Sequence, residues 1–296
     1  MTLKLKTRRD FIKDSASATA GLMFLNFWDK TFAGGNKKSR VVLVRHEKAV
    51  DDLNKPRAEI VQKMLDDAVS ALLDTDDPVK AWQKIVYPED IVGIKTNSWN
   101  RLPTTEPVEQ AIKKRVMGAG VKEDNIGIRD RGVLNDPLFQ KSTALINARP
   151  MRTHHWAGVG TCLKNYIMFV DQPWSYHDDS CADLAKIWYL PHVKNKTRLN
   201  VLVMFTPLFH GIGPHHFSPQ YVWAYNGLIA GLDPVAVDAV GVRIIQAKRN
   251  QYFKEERPIN PPPKHIFLAD TRHHLGTADP DKIELIKLGW KENLLI

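Results

Sequence analysis

The sequence predicts an α/β fold, a largely parallel or mixed sheet flanked by helices in a single domain. Three observations predict it. Short apolar runs alternate with longer segments of helical spacing, the order expected of strands that return through crossover helices. One run, residues 199–205, is the most apolar of all and suits the middle of a sheet covered on both faces. Polar segments rich in Lys, Asn and His follow the apolar runs, where open α/β sheets gather their ligands.

In chain order, Val41-Val42-Leu43-Val44 reads as the first strand. Residues 55–73 carry Ile60, Met64, Leu65, Ala68, Val69 and Leu72 at helical spacing, and Asp74-Thr75-Asp76-Asp77-Pro78 is expected to end that helix. Residues 90–95 form a second predicted strand. Residues 106–117 form a helix, with Pro107 suited to its first turn and Gly118 and Gly120 stopping it. Residues 125–129 read as a third strand, and 143–148 as a fourth that runs out into Pro150 and a His-rich segment. Past the apolar run at 199–205, Asp233 caps a helix that Pro234 opens and that continues to about Arg249. A Pro-rich connector then leads to a predicted last strand at 265–269, and a short helix over 281–288 closes the chain.

Ahead of this domain (residues 41–296) and a linker at 34–40, residues 1–33 read as a twin-arginine export signal. Thr7-Arg8-Arg9-Asp10-Phe11-Ile12-Lys13 is followed by a weakly apolar run at 15–27 that is short for a transmembrane helix. The expected location is the periplasm, reached through the twin-arginine translocase, with the signal either removed or retained as an anchor. That route carries folded proteins, many with a cofactor already inserted, so a bound transition metal or redox group is the associated expectation.

The net charge of +9 falls to about +6 without the signal segment, whose six Lys/Arg (Lys4, Lys6, Arg8, Arg9, Lys13, Lys30) outnumber three Asp (Asp10, Asp14, Asp29). The remaining charges are mixed, which argues against a nucleic-acid partner and leaves room for a basic cleft that takes a small anion. Cys162 and Cys181 are the two cysteines. Neither sits in a Cys-x-x-Cys pair, so no iron–sulfur cluster is expected from this chain alone. Buried thiols, a disulfide, and a ligand or nucleophile role all stay open for them.

Four segments concentrate chemistry. Lys95-Thr96-Asn97-Ser98 follows a strand and suits an anion or carboxylate. The stretch from Arg152 through His154, His155, Gly158, Gly160 and Cys162 to Lys164-Asn165 packs cations and imidazoles beside glycines that admit close backbone approach. Further histidines (His177, His192, His210, His215, His216, His273, His274) offer metal donors without a recognised ligand spacing. Asp238, five residues past the Asp233 cap, falls among small apolar residues, where a carboxylate needs a partner. A Gly-x-Gly-x-x-Gly fingerprint, a P-loop and a Gly-x-Ser-x-Gly elbow are all missing, which disfavours the usual nicotinamide dehydrogenases, P-loop NTPases and α/β-hydrolases.

These residues resemble the domain-of-unknown-function family 362 in four places over residues 87–276. They are Lys95-Thr96-Asn97, the strand running through Pro150 to Arg152 and His154, the Gly158-to-Asn165 segment ending Leu163-Lys164-Asn165, and Gly231-Leu232-Asp233-Pro234-Val235-Ala236-Val237-Asp238. Two departures are Arg152, where the family shows Lys, and the lack of the Cys-rich ferredoxin-like module that many members append. The resemblance implies that Lys95, Asn97, His154, Lys164, Asn165, Asp233 and Asp238 line one cleft, while the family's activity is unsettled. The resulting expectation is an exported enzyme, metal- or redox-linked, acting on a small anionic substrate. His154, Lys164 and Asp238 are its catalytic candidates, and Lys95, Asn97, Arg152, Asn165 and Asp233 its substrate-binding ones. His154 and Asp238 are the metal candidates. The alternative is a non-catalytic binding, maturation or accessory protein that serves a respiratory redox partner protein.

Overall fold

Period-two alternation and β-branched content set the strands, which the computed structural model shows over the residues it describes, 38–211, 213 and 216–296. Residues 1–33, expected to be an export signal, most of the linker and His215 lie outside them. Strands β1 (Ser39–Arg45), β2 (Val92–Lys95), β3 (Ile126–Arg129), β4 (Ala144–His154), β6 (Thr197–Leu208), β7 (Gly227–Gly231) and β8 (Ile283–Gly289) form one sheet in the order β3-β2-β4-β6-β7-β1-β8, and β5 (Gly158–Gly160) folds back on β4. Strands β3, β2, β4 and β6 run parallel, β7 runs antiparallel to both β6 and β1, and β8 pairs parallel with β1. The sheet is therefore mixed, and its parallel half carries the polar segments at its carboxyl ends.

Alternation divides the sheet's side chains between two cores. Val42, Val44, Val92, Ile94, Ile146, Val201 and Phe205 face one side, where α1 (Ala58–Leu72) packs Val61, Met64, Leu65, Ala68 and Val69 at helical spacing. Helices α2 (Pro78–Gln83) and α3 (Glu106–Gly118) complete that layer. Val41, Leu43, Leu145, Met151, Leu202, Met204 and Ile229 face the other side, against α6 (Pro234–Phe253) and two shorter helices, α4 (Pro137–Lys141) and α5 (Cys162–Asn165). Lys95, Asn147, Arg149 and Asn200 share the parity of this second face, so polar residues enter a core that is otherwise apolar.

Two predicted elements at the C-terminus exchange types. Residues 265–269 are not a strand but part of α7 (Lys264–Thr271), because His265, Ile266 and Ala269 bury one helical stripe and Pro263 stands at its entry. Residues 281–288 are not a helix but lead into β8, whose Ile283 is buried while Glu284 and Lys287 stay exposed. An edge strand needs one buried face only, and a short run of that kind mimics a helix stripe. Helix α1 stops at Leu72, directly ahead of the Asp74–Pro78 segment expected to end it, and within that segment Asp77 caps α2 by accepting from Val79 N and Lys80 N. Strands β5 and β7 are additions that the sequence reading lacked, and β4 runs six residues past its predicted end at Ala148.

Candidate functional site

A row of polar side chains crosses the parallel half of the sheet in register. Lys95 of β2 stands beside Asn147 of β4, Asn147 beside Asn200 of β6, and Asn200 beside Gly231 of β7. Asn147 Nδ2 donates to Asn200 Oδ1 at 3.1 Å and to the Cys162 carbonyl at 3.0 Å, and Asn200 Nδ2 donates to the Leu232 carbonyl at 3.1 Å. Asn165, on α5 above the row, donates from Nδ2 to Asn147 Oδ1 at 2.8 Å and to the Lys95 carbonyl at 3.1 Å. Buried amides are costly when unpaired, so this network fixes one arrangement of the strands and α5.

Lys95 is fully buried and donates to Asp130 Oδ1 at 2.8 Å, to the Thr96 carbonyl at 2.7 Å and to Asn165 Oδ1 at 3.4 Å. Burial pushes its ammonium down to about 8, although Asp130 opposes the fall. Burial acts on Asp130 in the opposite sense, toward the neutral acid. There the Lys95 charge and the hydrogen bonds from Lys95 and from Ser98 N and Oγ (3.0 and 2.8 Å) outweigh it and hold the carboxyl at about 2. The contact is one charge against one, although the Asp130 charge also reaches Arg149 and Arg152.

Three other cations are not paired in that way. Arg149 is buried, donates from Nη1 to Asn165 Oδ1 at 3.2 Å, and leaves Nε without a partner. Gly160 makes room for it: a Cβ there would stand 2.8 Å from Arg149 Nη2. Arg152 is buried, stacks on the Trp99 ring at 4.5 Å, and donates to Asn97 Oδ1 at 2.9 Å and the Leu102 carbonyl at 3.2 Å, again with Nε unpartnered. On a regular strand Arg149 and Arg152 would project from opposite faces, and the register shift of β4 against β6 after Pro150 falls between them. Lys164 is buried on α5 against the Cys181 thiol, and burial, reinforced by Arg149, pushes it down to about 8. Among the described residues none of the three has a carboxylate in salt-bridge contact. Arg149 works against the charge of Arg152, Lys164 and Lys95 alike, while Asp130 and Asp238 favour its own.

The imidazoles respond to that field. Burial first, then Lys164 and Arg149, push His154 well below the ordinary range. Trp156 N donates to its Nδ1 at 3.3 Å, so the neutral ring carries its proton on Nε2 and acts as a donor. Burial with Lys164 and Arg149 takes His265 down to about 3, and both of its ring nitrogens lack hydrogen bonds. His177, lowered to about 4 by burial and Lys164, packs tilted against Trp156 with centroids 4.1 Å apart, and His155 packs tilted against the same ring at 3.9 Å.

The remaining predicted residues have structural roles. Asp238 Oδ1 and Oδ2 accept from Cys162 N at 2.9 Å and Leu163 N at 2.8 Å, so the carboxyl clamps the start of α5 to α6. Burial raises it to about 7 against the pull of those amides. Asp233 caps α6 through Val235 N and Ala236 N, and its other oxygen accepts from Ser39 Oγ and Thr277 N. With four bonds accepted and burial complete, it faces backbone and not a ligand. Asn97 orients Arg152. Among the described residues no group of three His, Cys, Asp or Glu is arranged to hold a metal ion, and both Asp238 oxygens are already engaged. The donor set expected of His154 and Asp238 does not fit a metal. Both cysteines are buried thiols.

The structure thus brings Lys95, Arg152, His154, Lys164 and Asn165 together and adds Arg149, Asn147, Asn200, Asp130 and His265. One signal for the additions was present in the sequence. Asn147 and Arg149 interrupt an apolar strand at positions of one parity, and Asn200 does the same in the next strand. Asp130 and His265 carry no such signature, since their approach depends on loop and helix placement.

Residues 121–243 match the model of a family described as Domain of unknown function (DUF362). The match spans β3 to the middle of α6 and contains Arg149, Arg152, His154, Lys164 and Asp238, and it supports the family resemblance over that segment. No curated protein and no solved structure matches the chain.

Proposed function

We propose that this chain is an exported α/β enzyme that binds a small anionic substrate between Arg149, Arg152 and Lys164. One observation carries the reading: three cations are buried together on one sheet face without carboxylate partners, beside a fourth, Lys95, that has one. Buried charge is unfavourable unless compensated, so a protein that retains such a set does so for a negatively charged visitor. His154 donates from Nε2 to the bound anion. Lys164, with its ammonium at about 8, is the group able to hold or release a proton near neutral pH. Asp238 and Asn97 position Lys164 and Arg152 respectively and touch no substrate.

The test is thermal unfolding of the purified chain in rising concentrations of sulfate, phosphate, acetate and malonate. A ligand at about 100 times its dissociation constant adds about 2.7 kcal/mol of stability. At least one anion should raise the Tm, and Arg152→Ala and Lys164→Ala should each weaken the effect. A Tm indifferent to all four anions refutes the site. The export half of the proposal rests on the Arg8-Arg9 box. Changing both to Lys should keep the chain in the cytoplasmic fraction, and unaltered export would remove that half.

A further inference from the structure

We infer that the ligand is a compact oxyanion carrying two or more negative charges, of the dicarboxylate, sulfate or phosphate class, and not a monoanion. The inference rests on the anion-site reading and adds a charge and a shape to it. Lys95 pairs with Asp130 at 2.8 Å and Asp238 gives both oxygens to backbone amides, so these carboxylates reach Arg149 and Arg152 only across space and not by contact. What remains is Arg149, Arg152 and Lys164, three positive charges at most 4% exposed with no carboxylate contact among the described residues. A monoanion would leave two of them without a contacting counter-charge in a low-dielectric interior, where a charge not neutralised at close range weighs heavily.

The open donors agree. Arg149 presents Nε and Nη2 with no hydrogen bond, and Arg152 presents Nε, each next to an arm already anchored on protein oxygens. A guanidinium edge with adjacent free N–H groups matches two oxygens of one carboxylate, sulfate or phosphate. Trp99 fixes the plane of Arg152, and Gly160 keeps the space around Arg149 Nη2 clear of side chain. His265, fully buried with both ring nitrogens unpartnered and within the field of Lys164 and Arg149, adds a further donor on the same side. Donors on several side chains suit a ligand with oxygens at more than one end.

The experiment is isothermal titration of the full chain at pH 7 and low ionic strength with acetate, nitrate, malonate, sulfate and inorganic phosphate. At least one of the last three should bind at least about tenfold tighter than both monoanions, and Arg149→Gln should shrink that ratio by about tenfold. Malonate ahead of sulfate and phosphate marks a dicarboxylate site, and the reverse order a tetrahedral oxyanion site. Acetate or nitrate binding with less than that preference overturns the inference while leaving an anion site in place. No heat with any of the five overturns the anion site and the inference together. The wild-type series decides the matter even if the variant fails to fold.

Discussion

Lys164→Met should make the anion-free protein more stable. The lysine is 2% exposed, and burial takes its ammonium from the ordinary 10.5 to about 8. At about 1.4 kcal/mol per pKa unit, keeping the proton in the folded state costs about 3 kcal/mol. Loss of the contact with the Cys181 thiol returns about 1 kcal/mol of that. Met fills a similar volume without charge, so the net gain at pH 7 is about 2 kcal/mol, or about 5 °C for a domain of this size. The pH dependence has a definite sign. Below pH 8 both states hold the proton and the full cost is present. Between pH 8 and 10.5 the folded chain releases it while the unfolded chain keeps it, so the wild type gains stability as pH rises and its deficit against the variant closes. Scanning calorimetry of both proteins in a zwitterionic buffer free of multivalent anions, at pH 7 and pH 10, measures the gap. A variant no more stable than wild type at pH 7, or a gap that ignores pH, would show that Lys164 is not held charged against burial.

Three further outcomes are expected. Asp130→Asn leaves the Lys95 ammonium buried without its counter-charge and should lower stability by about 3–5 kcal/mol in urea unfolding, with Lys95→Met in the same chain recovering most of it. A loss under about 1 kcal/mol would contradict the pairing. Gly160→Ala places a methyl 2.8 Å from Arg149 Nη2, the movable end of a long side chain, so calorimetric titration should show anion affinity about tenfold weaker with little change in Tm. Unchanged affinity would take Arg149 out of the site. Asp233→Ala removes the acceptor of four hydrogen bonds and should cost about 2–4 kcal/mol in denaturant, while anion affinity of the folded fraction stays the same. Weakened binding there would return Asp233 to the ligand.

What was legible in the sequence was whatever a single segment determines. The apolar period of β6, the helical stripe of α1 and the Asp233-Pro234 start of α6 each follow from neighbours within a few residues. The segments around Lys95 and Lys164 were found because they combine cations, amides and glycines after strands. Illegible were the features that depend on partners distant in the chain. Residues 265–269 and 281–288 are short apolar runs whose type is decided by what they pack against: α7 lies on the second face, and β8 adds to the edge strand β1. The readings of Asp233 and Asp238 as ligand-facing failed for a related reason. A carboxyl among small apolar residues requires partners, and backbone amides 44 and about 75 residues away met that need without a contacting cation.

The position of the site follows from how the sheet is joined. Strand β2 ends at Lys95 while β4 continues for seven residues past Asn147, its partner in register. Beyond Lys95, β4 has no strand on that flank until β5 pairs with Arg152–His154, and a proline at 150 is tolerated in the gap because it withdraws no ladder bond from β2. The part of β4 beyond β2 carries Arg149, Arg152 and His154, and the β5 fold-back that pairs with its end leads directly into α5 with Lys164 and Asn165. Asp238 holds α5 from one side and the Asn147–Asn165 bond from the other, so the cations sit on a rigid frame and repel one another within it. That repulsion is set during folding, when the amide network and both cores hold the chain together. An arriving anion therefore meets donors already oriented and relieves a charge imbalance that the fold alone maintains. The same imbalance makes the site a weak point in stability, which is why removing Lys164 strengthens the fold and abolishes the reason for it.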